Sequence, residues 1–219
     1  DPANKLIGRQ SRLRLDAEIL RDNALAASGL LSAKMGGPGV FPPQPQGCMN
    51  LGQSRRKWTA STGENRYRRA VYTYRWRATP HPALNVFDTP DAFASCTRRI
   101  RSNTPLQALT LLNDPAFFEI AQGLAERIIR EGGNTDETRI ELGIRLCLAR
   151  KPTTHEISVL KTFLNKQRNL YANMDKKAQA QVSQRTHGPA VPESYRSEQS
   201  AWTMLARVLL NLDETITRE

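Results

Sequence analysis

Apolar residues recur at helical spacing in five stretches of this chain, and between the first stretch and the second the rhythm is lost. In the first, Leu20, Ala24 and Ala27 share one helical face. Asp16 stands at the N-cap position, Leu15 and Leu20 form a hydrophobic staple, and Ser28-Gly29 supplies a stop, so the pattern predicts a helix from Ala17 to about Ser28. Thr104-Pro105-Leu106-Gln107 then combines a Thr N-cap, Pro at the first helical position and Gln at the third, which predicts a helix start with a capping box. Asn113-Asp114-Pro115 ends that helix and caps the next, whose stripe of Phe117, Ala121, Leu124, Ala125 and Ile128 runs to Gly132-Gly133. Ile140, Ile144, Cys147 and Leu148 mark a further helix, stopped before Pro152. A second capping box, Thr153 to Glu156, opens one with Ile157, Leu160, Leu164 and Tyr171 on its apolar side. Trp202, Leu205, Leu209 and Leu212 define a closing helix.

The interruption has its own chemistry. Gly36-Gly37-Pro38-Gly39, followed by Phe41-Pro42-Pro43-Gln44-Pro45, excludes regular helix, since Pro removes donors and Gly admits positive φ. From Arg68 to Arg77 aromatic and β-branched residues alternate, which predicts one strand with Tyr72, Tyr74 and Trp76 on one face and Val71, Thr73, Arg75 and Arg77 on the other. Residues 173–196 are polar and end near Gly188-Pro189, the composition of a solvated insertion. The fold expected is therefore mainly α: five to six helices, a long irregular basic segment and a small β element. Residues 1–172 form a helical domain whose basic loop and strand segment spans 36–101, 173–196 is the polar insertion, and 197–219 is the closing helix of the same domain.

Charge sharpens this picture. The 219 residues carry a formal net charge of +11, and residues 53–101 alone hold 11 basic and 3 acidic side chains. Of the basic residues 24 are Arg and 8 are Lys, which favours planar, two-pronged recognition of carboxylate, sulfate or phosphate. No run approaches the ~18 uncharged apolar residues of a spanning helix, so membrane insertion is not expected. Asp1-Pro2-Ala3-Asn4-Lys5 lacks the charged start and apolar core of a signal peptide.

Catalytic signatures are missing from the sequence. His81, His155 and His187 have no metal-ligand spacing, and there is no Gly-x-Ser-x-Gly elbow, phosphate-cradling loop or His-Glu-x-x-His helix. The cysteines, Cys48, Cys96 and Cys147, form no Cys-x-x-Cys pair. Cys147 sits on an apolar helix face, while Cys48 and Cys96 suit either two free thiols or a disulfide in an oxidising compartment. What stands out is Arg interleaved with aromatics: Arg55, Arg66, Arg68, Arg69, Tyr72, Tyr74, Arg75, Trp76 and Arg77, with Arg98 and Arg99 later. One reading stacks the rings on a ligand while the guanidinium forks take anionic groups, as in an anionic-polymer or nucleic-acid binder. The other packs the rings as the inner face of a strand and pairs the arginines with the domain's own carboxylates. An enzyme would need His81, Asp88 and Cys96 gathered in one cluster.

Several runs resemble one family. They are Arg14-Leu15-Asp16-Ala17-Glu18-Ile19-Leu20-Arg21-Asp22, Met35-Gly36-Gly37-Pro38, Ser61-Thr62-Gly63-Glu64-Asn65-Arg66-Tyr67-Arg68-Arg69, Phe87-Asp88-Thr89-Pro90, Arg101-Ser102-Asn103-Thr104-Pro105-Leu106-Gln107-Ala108-Leu109 through Leu112-Asn113-Asp114-Pro115, and Leu209-Leu210-Asn211-Leu212-Asp213-Glu214. In this order and over nearly the whole chain they resemble the C-terminal part of the planctomycete cytochrome-associated domain of unknown function, number fifteen-fifty-three. The resemblance implies an exported protein, periplasmic or at the cell surface, with haem c in an N-terminal domain and a link to the breakdown of sulfated polysaccharides. It carries no catalytic residues. This chain begins inside the family pattern and holds no haem-attachment motif, which implies a fragment or one piece of a split protein, with no cofactor of its own and the upstream domains of the same parent as partners. The expected function is that of a binding or scaffold module for an anionic polymer such as a sulfated polysaccharide; the alternatives are a nucleic-acid binder and an accessory domain of a multidomain oxidoreductase or hydrolase.

Overall fold

A computed structural model describes residues 1, 4–8, 10, 12–50, 57–184, 188 and 190–218. Among these the protein is mainly helical, with nine α-helices and one two-stranded sheet. The first helix, α1 (Ala17–Ser28), ends as predicted, with Gly29 at φ +76° and its N–H returned to Ala26 O. Only a residue tolerant of the left-handed region closes a helix this way. A short α2 (Pro82–Val86) precedes α3 (Pro105–Asn113) and α4 (Pro115–Glu131). Asp114 separates the last two and caps α4 by accepting from Ala116 N–H. Next come α5 (Asp136–Leu148) and α6 (Thr154–Ala172), the latter opened by the complete Thr153/Glu156 capping box. Finally α7 (Lys176–Ser183), α8 (Arg196–Leu210) and α9 (Asp213–Ile216) complete the helical set.

The core lies where α8 crosses α4 and α6. Trp202, Leu205, Ala206 and Leu209 of α8, Ala121, Leu124, Ala125 and Ile128 of α4, Ile140 of α5 and Leu164 of α6 are all fully buried. Gly143 lets α5 approach: a Cβ there would fall 2.9 Å from both Ile128 Cδ1 and Leu209 Cδ1. No helix among the described residues is long and apolar enough to cross a membrane.

Four local expectations are corrected. The closing helix expected over 197–219 stops at Leu210, because Asn211 and Leu212 turn the chain before α9 and residues 217–218 leave as a strand that pairs with residues 13–14. The strand predicted over 68–77 is not formed: Ala70–Tyr72 is a 3₁₀ turn, and the stretch makes only single bridges, Ser32 to Arg68, Val40 to Thr73 and Trp76 to Thr79. No second extended segment runs beside it long enough to build a ladder. The β element instead joins the two ends of the chain, with β1 (Leu13–Arg14) antiparallel to β2 (Thr217–Arg218). At α3 the capping box is not formed: the Gln107 N–H goes to the Thr104 carbonyl (3.0 Å) rather than its hydroxyl, and the Gln107 side chain turns inward, fully buried, and donates to Val86 O (3.0 Å) and Ser102 Oγ (3.2 Å). Within 173–196, α7 is an ordered helix rather than a solvated loop. Asp175 accepts from the Lys177 and Ala178 N–H groups, and Gln122 of α4 donates to Val182 O and Gln184 O.

Candidate functional site

The basic segment packs across α1 and α4, and its arginines divide into those turned inward and those left free. Arg66 grips Glu119 of α4 with Nε at 2.8 Å and Nη2 at 2.7 Å, and the Tyr67 hydroxyl donates to the same carboxylate. Glu119 thereby stabilises the Arg66 guanidinium and raises its pKa. Arg68 is 1% exposed and reaches no carboxylate; it donates to Pro38 O (3.1 Å), Lys34 O (3.4 Å) and Gly36 O, with its guanidinium 3.8 Å from the centre of the Tyr72 ring. Arg69 is half-buried beside Tyr72 and Met35. Arg75 reaches Glu18 of α1 at 2.9 Å, Thr89 Oγ1 at 2.7 Å and Pro90 O at 3.2 Å. Arg99 donates to Glu18 at 2.7 Å and lies 3.7 Å from Asp16, which also pairs with Arg101 at 3.3 Å. Burial works to raise the Glu18 pKa, but hydrogen bonding from Arg99 and the charges of Arg99 and Arg75 outweigh it and hold the carboxyl low. Arg77 and Arg98 are exposed and, among the described residues, have no side-chain partner. Arg55 lies outside the described residues.

The aromatic residues form a continuous ladder. Trp58 meets Phe41 edge-on at 5.0 Å, Phe41 stacks on Tyr74 at 5.1 Å and 22°, and Tyr74 meets Trp76 at 4.9 Å. Backbone bonds set this order. Val40 N–H donates to Tyr72 O and Tyr74 N–H to Val40 O, each at 2.8 Å, while Ser61 N–H donates to Phe41 O on the other side. Gly39 leaves room for the Tyr74 ring, which a Cβ would approach to 3.3 Å. Tyr74 is 39% exposed, and Phe41, Trp58 and Trp76 are half-buried, so the ladder is neither core nor free rings. Lys57 adjoins Trp58 in the chain and Arg77 adjoins Trp76, which puts an exposed cation next to the residue at each end. Tyr72 stands apart: its hydroxyl accepts from Gly36 N–H at 2.8 Å, a contact that lowers its pKa.

Sequence reading missed Phe41, whose only signal is an aromatic inside a Pro-rich run. It also missed Asp16, Glu18 and Glu119 as arginine partners, which nothing in local spacing reveals.

The residues of an enzyme-like cluster are separated. Asp88 and Cys96 line one open cavity of about 500 Å³, while His81 lines a small internal void with Arg21, Leu84 and Phe117. The Asp88 carboxylate is taken up by Ser102, accepting from its N–H at 2.7 Å and from its hydroxyl. All three cysteines are free thiols, Cys96 exposed and Cys147 buried, and burial pushes the Cys147 thiol up to about 12. Among the described residues no group of His, Cys, Asp and Glu could hold a metal ion.

His81 is 3% exposed and bonds Pro43 O through Nε2 at 3.1 Å. Burial drives its pKa down to about 4; the Pro43 carbonyl opposes that and the Arg21 charge adds to it. Unfolded, the ring titrates near about 6.5, so between these values the folded protein binds fewer protons. This contribution to stability is complete above about pH 6.5 and is lost as the pH falls towards 4. Melting temperatures are expected to fall over that window, and His81→Gln should flatten that part of the profile; an unchanged slope would contradict the assignment.

Comparison with known proteins gives a match of residues 1–164 to the family model described as PSD1, protein of unknown function (DUF1553). No curated protein matches, and no solved structure matches.

Proposed function

The chain belongs to the PSD1 (DUF1553) family of proteins of unknown function, and from that premise we propose that it is a binding module for an anionic polymer, foremost a sulfated or acidic polysaccharide. The observation that carries this reading is the half-exposed Trp58-Phe41-Tyr74-Trp76 ladder with the exposed cations Lys57 and Arg77, unpaired among the described residues, next to its terminal residues. The C–H face of a sugar ring is apolar and rests on an aromatic face, while sulfate or carboxylate groups reach the cations at the ends. Most of the basic segment plays a different part. Arg66 and Arg68 are committed to internal partners, and Arg75 and Arg99 are paired with Glu18, so the ladder surface is narrower than the run of arginines and aromatics implies. We also assign the module to an exported, haem-linked parent protein, on the resemblance of its motifs. Haem c would attach elsewhere in that parent, because none of the cysteines here has the Cys-x-x-Cys-His arrangement, and no chemistry in this chain runs through it.

Dextran sulfate titrated against neutral dextran tests the proposal. The sulfated polymer alone should bind, and affinity should fall as salt rises. Tyr74→Ala or Trp76→Ala should weaken binding about tenfold, the scale of one lost stacking platform. Lys57→Ala/Arg77→Ala should weaken it and make it less salt-dependent. Equal binding of both dextrans would overturn the reading. A preference for single-stranded oligonucleotides with the same mutational pattern would replace it with nucleic-acid binding.

A further inference from the structure

We infer that the Arg98–Arg101 turn is a second anion subsite, held closed by the protein's own Asp16 and Glu18, which an anionic group of the polymer displaces. The inference rests on the binding reading above and names how that site is regulated. Three guanidiniums, Arg75, Arg99 and Arg101, converge on two carboxylates at the start of α1, with contacts of 2.9 Å, 2.7 Å and 3.3 Å. Three cations meet two anions in these ion pairs, and Asp88 and Asp91 line the adjoining cavity of about 500 Å³ together with Arg98 and Arg99. Arg98 adds a fourth cation that has no partner among the described residues. An open cavity of about 720 Å³ is lined by Arg98, Arg99, Ile100 and Arg101, so a ligand anion can approach these guanidiniums from solvent. Residues 91–101 are exposed throughout, and the turn meets α1 through these ion pairs, whose arginine side chains are themselves 36% and 43% exposed.

The carboxylates are the enclosed partners, 23% and 17% exposed, while Arg99 and Arg101 reach solvent, so an incoming sulfate meets the guanidiniums from their open side. The carboxylates are nevertheless well placed to compete. Glu18 lies in the first turn of α1, where the helix end favours negative charge, and it accepts from Arg75, Arg99 and Thr89 together. Arg75 joins the two regions. It leaves the chain between Tyr74 and Trp76 of the ladder and ends on Glu18, which also receives Arg99, so one carboxylate links the ladder segment to the Arg98–Arg101 segment.

Dextran sulfate affinity at fixed low salt tests the exchange. Removing the internal competitor in Asp16→Asn/Glu18→Gln should tighten binding severalfold, and trypsin should cut after Arg98 to Arg101 faster than in the wild type. Glu131→Gln/Glu141→Gln makes the same change in net charge on α4 and α5; it should raise affinity far less, and an equal rise would reduce the effect to bulk charge and overturn the inference. Arg98→Ala breaks no internal pair, so it should weaken binding with an unchanged melting temperature. If it leaves binding intact, the subsite is wrong even where the Asp16/Glu18 variant proves unstable. Loss of this pattern, with Tyr74→Ala still weakening binding, refutes the subsite and leaves the ladder standing. Failure of the wild type to distinguish dextran sulfate from dextran refutes both.

Discussion

Replacing Trp202 with alanine is expected to cost about 3–5 kcal/mol, the range for deleting a large buried aromatic side chain. Trp202 is the largest fully buried side chain among the described residues and sits on α8 where that helix meets α4 and α6. A second loss accompanies the cavity. The indole Nε1–H donates to Glu198 Oε1 at 2.7 Å, and Glu198 also receives Arg168, which bridges to Asp136 at the start of α5. Glu198 lies on α8 itself, so the bridge through Arg168 to α5 survives, but its carboxylate loses the indole as a donor. At about 2–4 °C per kcal/mol for a chain of this size, the melting temperature should drop by roughly 10 °C. Trp202→Phe keeps most of the volume and loses the N–H donor, so it should fall well short of the alanine variant. Thermal denaturation of both reads the comparison directly. An alanine variant that melts within a degree or two of the wild type would remove α8 from the centre of the core.

The helices are legible in the sequence because their signals are local. Gly29, Pro105, Asp114-Pro115, Gly132 and the Thr153/Glu156 box each act within one turn, and those helix boundaries fall where they place them; Asp16 stands at the N-cap of α1 but gives its carboxylate to Arg99 and Arg101 and makes no side-chain cap. The segment 68–77 was misread for the opposite reason. Its alternation of Tyr72, Tyr74 and Trp76 is real, but a strand exists only against a partner, and here the neighbouring backbone supplies single bridges. Side chains take over that work: Arg21, buried in α1, donates to Arg68 O at 2.7 Å and Arg66 O at 3.2 Å. The candidate site shows the same divide. Its residue types were visible as an Arg-aromatic run, yet what separates a bound arginine from a free one is a carboxylate far away in sequence: Glu119 is 53 residues from Arg66, Glu18 is 57 from Arg75 and 81 from Arg99. No periodicity encodes those distances. Tertiary closure decides them, and with them which cations remain for a ligand.

Arg68 is the sharpest case, and Arg68→Ala should destabilise the fold by about 3 kcal/mol or more. The guanidinium is buried among the carbonyls of Lys34, Gly36 and Pro38, and those carbonyls have turned inward to meet it. The three carbonyls belong to exposed loop residues, so water replaces part of what the guanidinium supplies, and the rest of the cost comes from emptying the site of a fully buried side chain packed on Tyr72. Gly36 and Gly37 hold φ at +69° and +85°, so the backbone that aims these carbonyls depends on glycine and has no helix or sheet to fall back on. Arg68→Lys keeps the charge but replaces a planar fork by a single nitrogen, which can reach fewer of the three acceptors; it should recover only part of the loss. The melting temperature should fall by roughly 6–12 °C in the alanine variant, with proteolysis appearing first in residues 34–39. Dextran sulfate binding by whatever remains folded should be little changed, because this guanidinium faces the protein. Weaker binding without lower stability would show instead that Arg68 reaches the ligand, and the division between inward and free arginines would have to be redrawn.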